Sequence, residues 1–222
     1  MRYSHLVTAA FLSRPNRFTA RVMLDGREET VHVRNTGRCR ELLIPGCRVW
    51  LEKADREGRK TAYDLVCVEK SDGRVVNMDS LAPNRLVGEW LESQGCQKIH
   101  PEFVYGESRL DFAFEKEGAF CLMEVKGCTL EVDGIGYFPD APTERGLKHV
   151  RELTRAAREN IRAYLAFVIQ MDGVNRVLPN DRTMPSFGEA VREAELAGVR
   201  VLHLATHVTP EEIRIISPGL DT

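Results

Sequence analysis

The 222-residue chain has no Cys-x-x-Cys pair, no strong net charge, only two tryptophans and no internal repeat or low-complexity tract. It also lacks any apolar run approaching the ~20 residues that a membrane helix needs. Each absence removes a class of function. The six cysteines, at 39, 47, 67, 96, 121 and 128, are scattered, whereas zinc ligation usually uses paired ligands a few residues apart. Several sit in apolar runs such as Val66-Cys67-Val68 and Phe120-Cys121-Leu122, where a reduced thiol acts as a small hydrophobe. A net charge of −2 argues against a uniformly basic polyanion binder. Two tryptophans give little support to an oligosaccharide-binding face. No membrane role is expected. The apolar stretch 6–12 is short and runs into Arg14-Pro15-Asn16-Arg17, which disfavours a secretory signal and leaves the cytoplasm as the expected location.

What is present is an ordinary globular composition, 43% hydrophobic and 29% charged, in a chain long enough for one large or two small domains. Its charge is unevenly spread. Residues 14–40 hold seven arginines against Asp25, Glu28 and Glu29, a local excess of four positive charges on which a polyanion can dock.

The first eighty or so residues read as β-rich. Segments 18–24, 30–34, 48–52, 62–68 and 74–78 are rich in β-branched or alternating apolar residues, and Asp25-Gly26, Pro45-Gly46, Glu57-Gly58 and Asp72-Gly73 punctuate them. Five short strands with a helical insert at 40–43 predict a small closed barrel of OB type, because an open sheet leaves two edges to protect. Near residue 82 the pattern changes. Pro83 suits the first turn of a helix, and Leu86, Trp90 and Leu91 follow at helical spacing. Strands at 109–114 and 119–126, a helix at 144–159, a strand at 163–171, a helix at 187–196 and a strand at 199–205 then imply an α/β layer with some parallel pairing. The expected organisation is therefore a barrel over 1–81 and an α/β domain over 82–222.

The sharpest chemical feature is Ala119-Phe120-Cys121-Leu122-Met123-Glu124-Val125-Lys126. The strand is apolar on both faces, so it belongs in the middle of a sheet, and Glu124 and Lys126 at its end project from one face. Asp111 lies in the preceding apolar strand, and Glu117-Gly118 supplies a hairpin turn between the two. Antiparallel pairing then sets Asp111 beside Glu124. Two adjacent carboxylates repel unless a cation lies between them, and Mg²⁺ or Mn²⁺ with oxygen ligands meets that need. This arrangement is the PD-(D/E)XK pattern of restriction-endonuclease-like nucleases. Lys126 orients the attacking water or stabilises charge on the phosphoryl oxygens. Val125 is counted with Asp111 and Glu124 as the metal-site set, and Glu102 upstream is a candidate third carboxylate. The bland alternative is a Glu–Lys pair on a solvated strand end, with Asp111 satisfied by Arg109 or a backbone amide.

The chain resembles the sugar fermentation stimulation protein A family over nearly its whole length. Five ordered blocks carry the likeness: Arg14-Pro15-Asn16-Arg17-Phe18; Asn35-Thr36-Gly37-Arg38-Cys39-Arg40-Glu41-Leu42-Leu43-Ile44-Pro45-Gly46; Ser108-Arg109-Leu110-Asp111-Phe112; Glu124-Val125-Lys126-Gly127-Cys128-Thr129-Leu130; and Phe138-Pro139-Asp140-Ala141-Pro142-Thr143-Glu144-Arg145-Gly146. The resemblance implies an N-terminal OB domain, a C-terminal nuclease-fold domain, DNA binding, and a regulatory role in sugar (maltose) catabolism. It carries Asp111, Glu124 and Lys126 onto matching positions. The chain departs from the pattern at Gly127 and Leu147, where a more polar residue is expected.

Nucleic-acid contacts are expected from Arg14, Arg17, Arg38 and Arg40 in the barrel loops and from Arg109. Arg145, Lys148 and His149 join them at the start of the long helix, where helix N-termini favour phosphate. His149 reads as a phosphate contact, an auxiliary acid/base or a hydrogen-bonded structural histidine. Lys148, Arg151, Arg155 and Arg158 form a basic stripe, diluted by Glu144, Glu152 and Glu159, that reads equally as a solvated face. The leading expectation is a metal-dependent nuclease with nucleic acid, DNA first, as partner. The rival is a non-catalytic DNA-binding regulator that uses the nuclease fold for docking. A homodimer is compatible with the sequence, which carries no argument for one.

Overall fold

The computed structural model describes residues 1–222 except 36, 55–59, 218, 221 and 222. The expected Glu57-Gly58 turn lies outside the described residues.

Six strands open the chain: β1 (Leu6–Asn16), β2 (Thr19–Leu24), β3 (Arg27–Val33), β4 (Arg48–Lys53), β5 (Tyr63–Glu69) and β6 (Val75–Asn77). β1 pairs antiparallel with both β2 and β4, β2 with β3, and β4 with β5. A parallel pairing of β3 with β5 at His32↔Asp64 and Val33↔Leu65 closes the ring. This is a closed five-stranded barrel of OB topology, with alternate residues such as Phe11, Val22, Val31, Val49 and Leu65 filling its interior. The expected five strands are corrected in membership. β1 belongs to the ring, while the segment read at 74–78 is the short β6, which hangs on β5 outside it. Pro15 disguises β1, and it is tolerated because register shifts interrupt the β1–β2 ladder there. The expected helix at 40–43 is a single turn, closed by Leu43 N–H on Cys39 O at 3.0 Å.

α1 (Ala82–Ser93) follows with Pro83 in its first turn. Then come β7 (Gln97–Tyr105), β8 (Ser108–Lys116), β9 (Ala119–Cys128), β10 (Leu130–Val132), β11 (Ile135–Phe138), α2 (Glu144–Arg158), β12 (Arg162–Ile169), β13 (Val177–Pro179), α3 (Pro185–Leu196), β14 (Arg200–Leu204), β15 (Thr206–Val208) and β16 (Ile213–Ile215). The main sheet runs β14-β12-β9-β8-β7, with β12 parallel to β9 and β14, and β8 antiparallel to its neighbours. Both turn residues of the β8–β9 hairpin, Glu117 and Gly118, have positive φ (54° and 75°), the primed-turn geometry that matches strand twist. α2 covers one sheet face with α3 beside it; α1 covers the other. The central strands β9 and β12 are accordingly buried on both sides. Among the described residues, no helix is long and apolar enough to cross a membrane.

The two parts share a seam. Val76 bridges Met171, and Asn77 N–H donates to Gln170 O at 2.9 Å. The Gln170 amide nitrogen donates in turn to Asn77 Oδ1, Asn77 O and Asp79 O at 3.0–3.1 Å. Arg34 of the barrel reaches Asp64 (2.5 Å) and Asp79 (3.0 Å), both fully buried, so that cation and carboxylates satisfy one another.

Candidate active site

The β8–β9 ladder registers Phe112 against Met123, which sets Asp111 across from Glu124 one step further along. Asp111 sits where that ladder ends, and its carboxylate substitutes for a backbone acceptor. Oδ2 accepts the Val125 N–H at 2.8 Å, and Oδ1 accepts from Asn84 Nδ2 of α1 at 2.8 Å. Glu124 faces α2. Its Oε1 takes both the Lys126 ammonium and His149 Nδ1, the latter at 2.5 Å. The other oxygen, Oε2, is buried and has no hydrogen-bond partner.

The electrostatics separate the two carboxyls. Burial pushes Asp111 up and the nearby Glu124 charge adds to this, outweighing the Val125 N–H, Lys126 and Asn84. Burial pushes Glu124 up as well, but the His149 hydrogen bond and Lys126 ammonium overcome it and hold that carboxyl below its ordinary range. Asp111, Glu124 and Lys126 thus converge at one end of the sheet. Glu124, though only 2% exposed, keeps one uncommitted carboxylate oxygen.

The remaining expected residues divide. Val125 enters through its N–H. His149 is 5% exposed, and its Nδ1 is held against Glu124, so it positions that carboxylate instead of presenting a surface for phosphate. Glu102 lies beside Asp111 on the edge strand β7, at a positive φ of 54°. Its carboxylate, however, is exposed and paired with Arg109 at 2.9 Å, so the structure does not bring it to Asp111 and Glu124 as a third carboxylate. Among the described residues no three His, Cys, Asp or Glu side chains gather as a metal cage. Arg14 is also corrected. Its guanidinium donates to the carbonyls of Gly37, Arg38, Arg17 and Asn35 at 2.5–2.9 Å and builds the loop instead of offering itself to a ligand. Lys148 is exposed but tethered to Glu107 O at 3.0 Å. Arg155 and Arg158 pair with Glu152 and Glu193, which makes the stripe a solvated, paired face. Arg17, Arg38, Arg40 and Arg145 are exposed and have no ion-pair partner among the described residues.

Sequence reading missed Asn84, because a polar residue in a first helical turn carries no chemical signature. It also missed Gln170, which looks like the end of an apolar strand. The departure at Gly127 has a physical reason. A Cβ there would lie 2.3 Å from Gln170 Oε1 and 2.8 Å from Pro83, so only glycine fits.

The chain is similar to known proteins over nearly its whole length. Residues 12–78 match the model of an SfsA N-terminal OB domain, and 81–212 that of a sugar fermentation stimulation protein RE domain. A sugar fermentation stimulation protein homolog from Desulfitobacterium hafniense is 49% identical over 216 residues, covering 96% of this chain and 94% of its own. One from Ruminiclostridium cellulolyticum is 45% identical over 208 residues, 92% of each chain. The solved structure of Pyrococcus furiosus SfsA in complex with Ca²⁺ superposes with a TM-score of 0.86 at 31% identity, over 99% of this chain and 96% of that one.

Proposed function

The chain belongs to the sugar fermentation stimulation protein family, and from that premise we propose that it binds nucleic acid, DNA first, and hydrolyses phosphodiester bonds at Asp111, Glu124 and Lys126. The observation that carries this reading is the unpartnered, buried Glu124 Oε2 in a site where a second carboxylate, Asp111, stands close enough to be pushed up by it. An orphaned carboxylate oxygen beside a like charge is costly unless a cation completes it. The donor set, two carboxylates and no thiolate, fits a hard divalent cation such as Mg²⁺ or Mn²⁺. The family relative solved with Ca²⁺ binds a cation of the same oxygen-seeking class. Such a cation, when bound, polarises a phosphoryl oxygen and acidifies a coordinated water.

The protein's own groups do the rest. Asn84 and the Val125 N–H fix the Asp111 carboxylate in one orientation. His149 holds Glu124 from the helix side, so a charged side chain that is almost fully buried keeps one rotamer. Lys126, 14% exposed, is the group left to meet the negative charge that builds on the phosphoryl oxygens. Nucleic acid reaches this site past the barrel. The exposed Arg38 and Arg40 lie in the loop whose Arg38 N–H donates to Asp140 of the second domain, and Arg17 stacks over the half-exposed Phe18 ring at 5.1 Å. An aromatic ring with an overlying guanidinium suits an unpaired base.

The test is incubation of labelled single- and double-stranded DNA and RNA with Mg²⁺, Mn²⁺ or chelator. Lys126→Ala is expected to retain binding while cation-dependent cleavage drops ~10²-fold or more. No cleavage by the wild-type protein on any substrate with either cation sinks the catalytic half and leaves a binding protein, the regulator reading.

A further inference from the structure

Past Lys126 the strand opens onto a half-open cavity of about 180 Å³ lined by residues of both domains. At roughly 30 Å³ per water this is space for about six waters, below the range of drug-sized pockets but adequate for one small ring system. Its walls are joined to the cleavage site by covalent neighbours. Gly127 directly follows Lys126, and Pro83 directly precedes Asn84, which holds Asp111. The cavity wall thus begins one residue from Lys126 and one residue from Asn84, next to the place where a phosphate at Asp111 and Glu124 would carry its adjoining base.

The lining is selective in its chemistry. Gln170 is 2% exposed and its amide nitrogen is committed to Asn77 and Asp79, which fixes the amide orientation. Its Oε1 therefore points to the open side of Gly127 and accepts nothing among the described residues. Asp140 uses Oδ2 for the Arg38 N–H at 3.2 Å and keeps Oδ1 available. Tyr137, half-buried, adds an aromatic side chain to the lining. Two acceptors beside an aromatic ring form a receptor for the amino edge of a base.

On the nucleic-acid-binding reading above, we propose that this cavity receives one unpaired nucleobase adjoining the scissile phosphate and selects bases that carry an exocyclic amino group. Cytosine and adenine present N–H₂ donors to Gln170 Oε1 and Asp140, whereas thymine presents a carbonyl at the equivalent place and leaves a buried acceptor facing another acceptor. The same requirement for an extruded or already single base favours single-stranded over intact duplex substrate, because no stacking is lost.

The experiment is fluorescence anisotropy of short single-stranded homopolymers of deoxycytidine, deoxyadenosine and thymidine with the full chain in Ca²⁺, with cleavage of the same oligomers in Mg²⁺ read separately. Wild type is expected to bind the cytidine and adenosine oligomers about fivefold or more tighter than the thymidine oligomer, the effect of one mismatched buried hydrogen bond. Asp140→Asn replaces an acceptor by a donor of the same shape, and Leu130→Phe fills the cavity from its rim; each is expected to cut the preference below about twofold. Asp133→Asn, a charge-matched change at an exposed turn, is expected to keep it. Equal binding of all three oligomers by wild type, or a preference that survives in either cavity variant, overturns the proposal. Preference without cleavage leaves the pocket standing and removes only the catalytic reading, and cleavage without preference does the reverse. No binding to any oligomer sinks both the pocket and the nucleic-acid reading.

Discussion

Arg14 and Arg38 belong to one loop cluster and would be indistinguishable in a charge count, yet their surroundings give them different work. Four carbonyls converge on the Arg14 guanidinium, and only its Nε, buried without a partner, is left over. Arg38 commits its backbone N–H and leaves its side chain in solvent. Arg14→Ala strands several carbonyls and loosens the turns that carry Asn16, Asn35 and Gly37, at a cost of roughly 2 kcal/mol. For a chain of this size that corresponds to a Tm lowered by roughly 4–8 °C in a thermal melt. An unchanged Tm would mean that the loop is held by something other than this side chain. The buried thiols make a similar point. Burial pushes Cys39, Cys67 and Cys128 up to about 12, which leaves them as inert packing groups at neutral pH.

Among elements, the barrel loops and the α2 stripe compete as the phosphate surface, and ion pairing decides between them. The α2 arginines Arg155 and Arg158 face glutamates, while Arg17, Arg38 and Arg40 face none among the described residues. Replacing Arg17, Arg38 and Arg40 together with alanine should weaken binding and reduce the slope of log K against log salt by about two to three on duplex DNA, at roughly 0.9 for each phosphate no longer neutralised. The matching triple change at Arg151, Arg155 and Arg158 should leave the slope nearly intact. A reversed result would move the docking face to α2. The two strands that build the site were legible in the sequence because the five-residue apolar stretch 119–123 reads as a central strand, and Glu117-Gly118 fixes the hairpin register. The edge strand β7 was not legible. Gln97–Tyr105 is mostly exposed, carries Pro101 and bends at positive-φ Lys98 and Glu102, so no period of two survives in its side chains. The short β10, β11, β13, β15 and β16 hold three or four residues each, too few to show a period of two: β10–β11 and β15–β16 are small hairpins, and β13 joins β11 from far along the chain. The acid–acid–Lys set could be read locally. The assignment of His149 to Glu124, and of Asn84 to Asp111, could not, because each joins elements distant in sequence.

At the scale of the molecule, two domains behave as one body only if their seam resists solvent, and Glu131 is the group that tests this. It is 9% exposed, on β10 of the second domain, and receives Lys70 and Arg74 from the barrel together with the Gly134 N–H at 2.6 Å. Burial pushes its carboxyl up, but Lys70, the Gly134 amide and Arg74 outweigh that and hold it below the ordinary range. A carboxyl lowered in the folded state binds protons less readily than in the unfolded chain. Its contribution is therefore complete above the unfolded value of about 4.3 and disappears as pH falls through the lower, folded value. Glu131→Gln keeps the shape but removes the charge, and should cost about 1–2 kcal/mol at neutral pH, where both seam cations are left facing an amide. As pH falls below that unfolded value and on through the lower, folded one, the wild-type carboxyl becomes protonated too, and the difference between the two proteins should shrink towards zero. Urea unfolding of both across the acid range measures this directly. A deficit that persists undiminished at low pH would show that the substitution acts through packing, and the charged seam would then have no part in joining the barrel to the second domain.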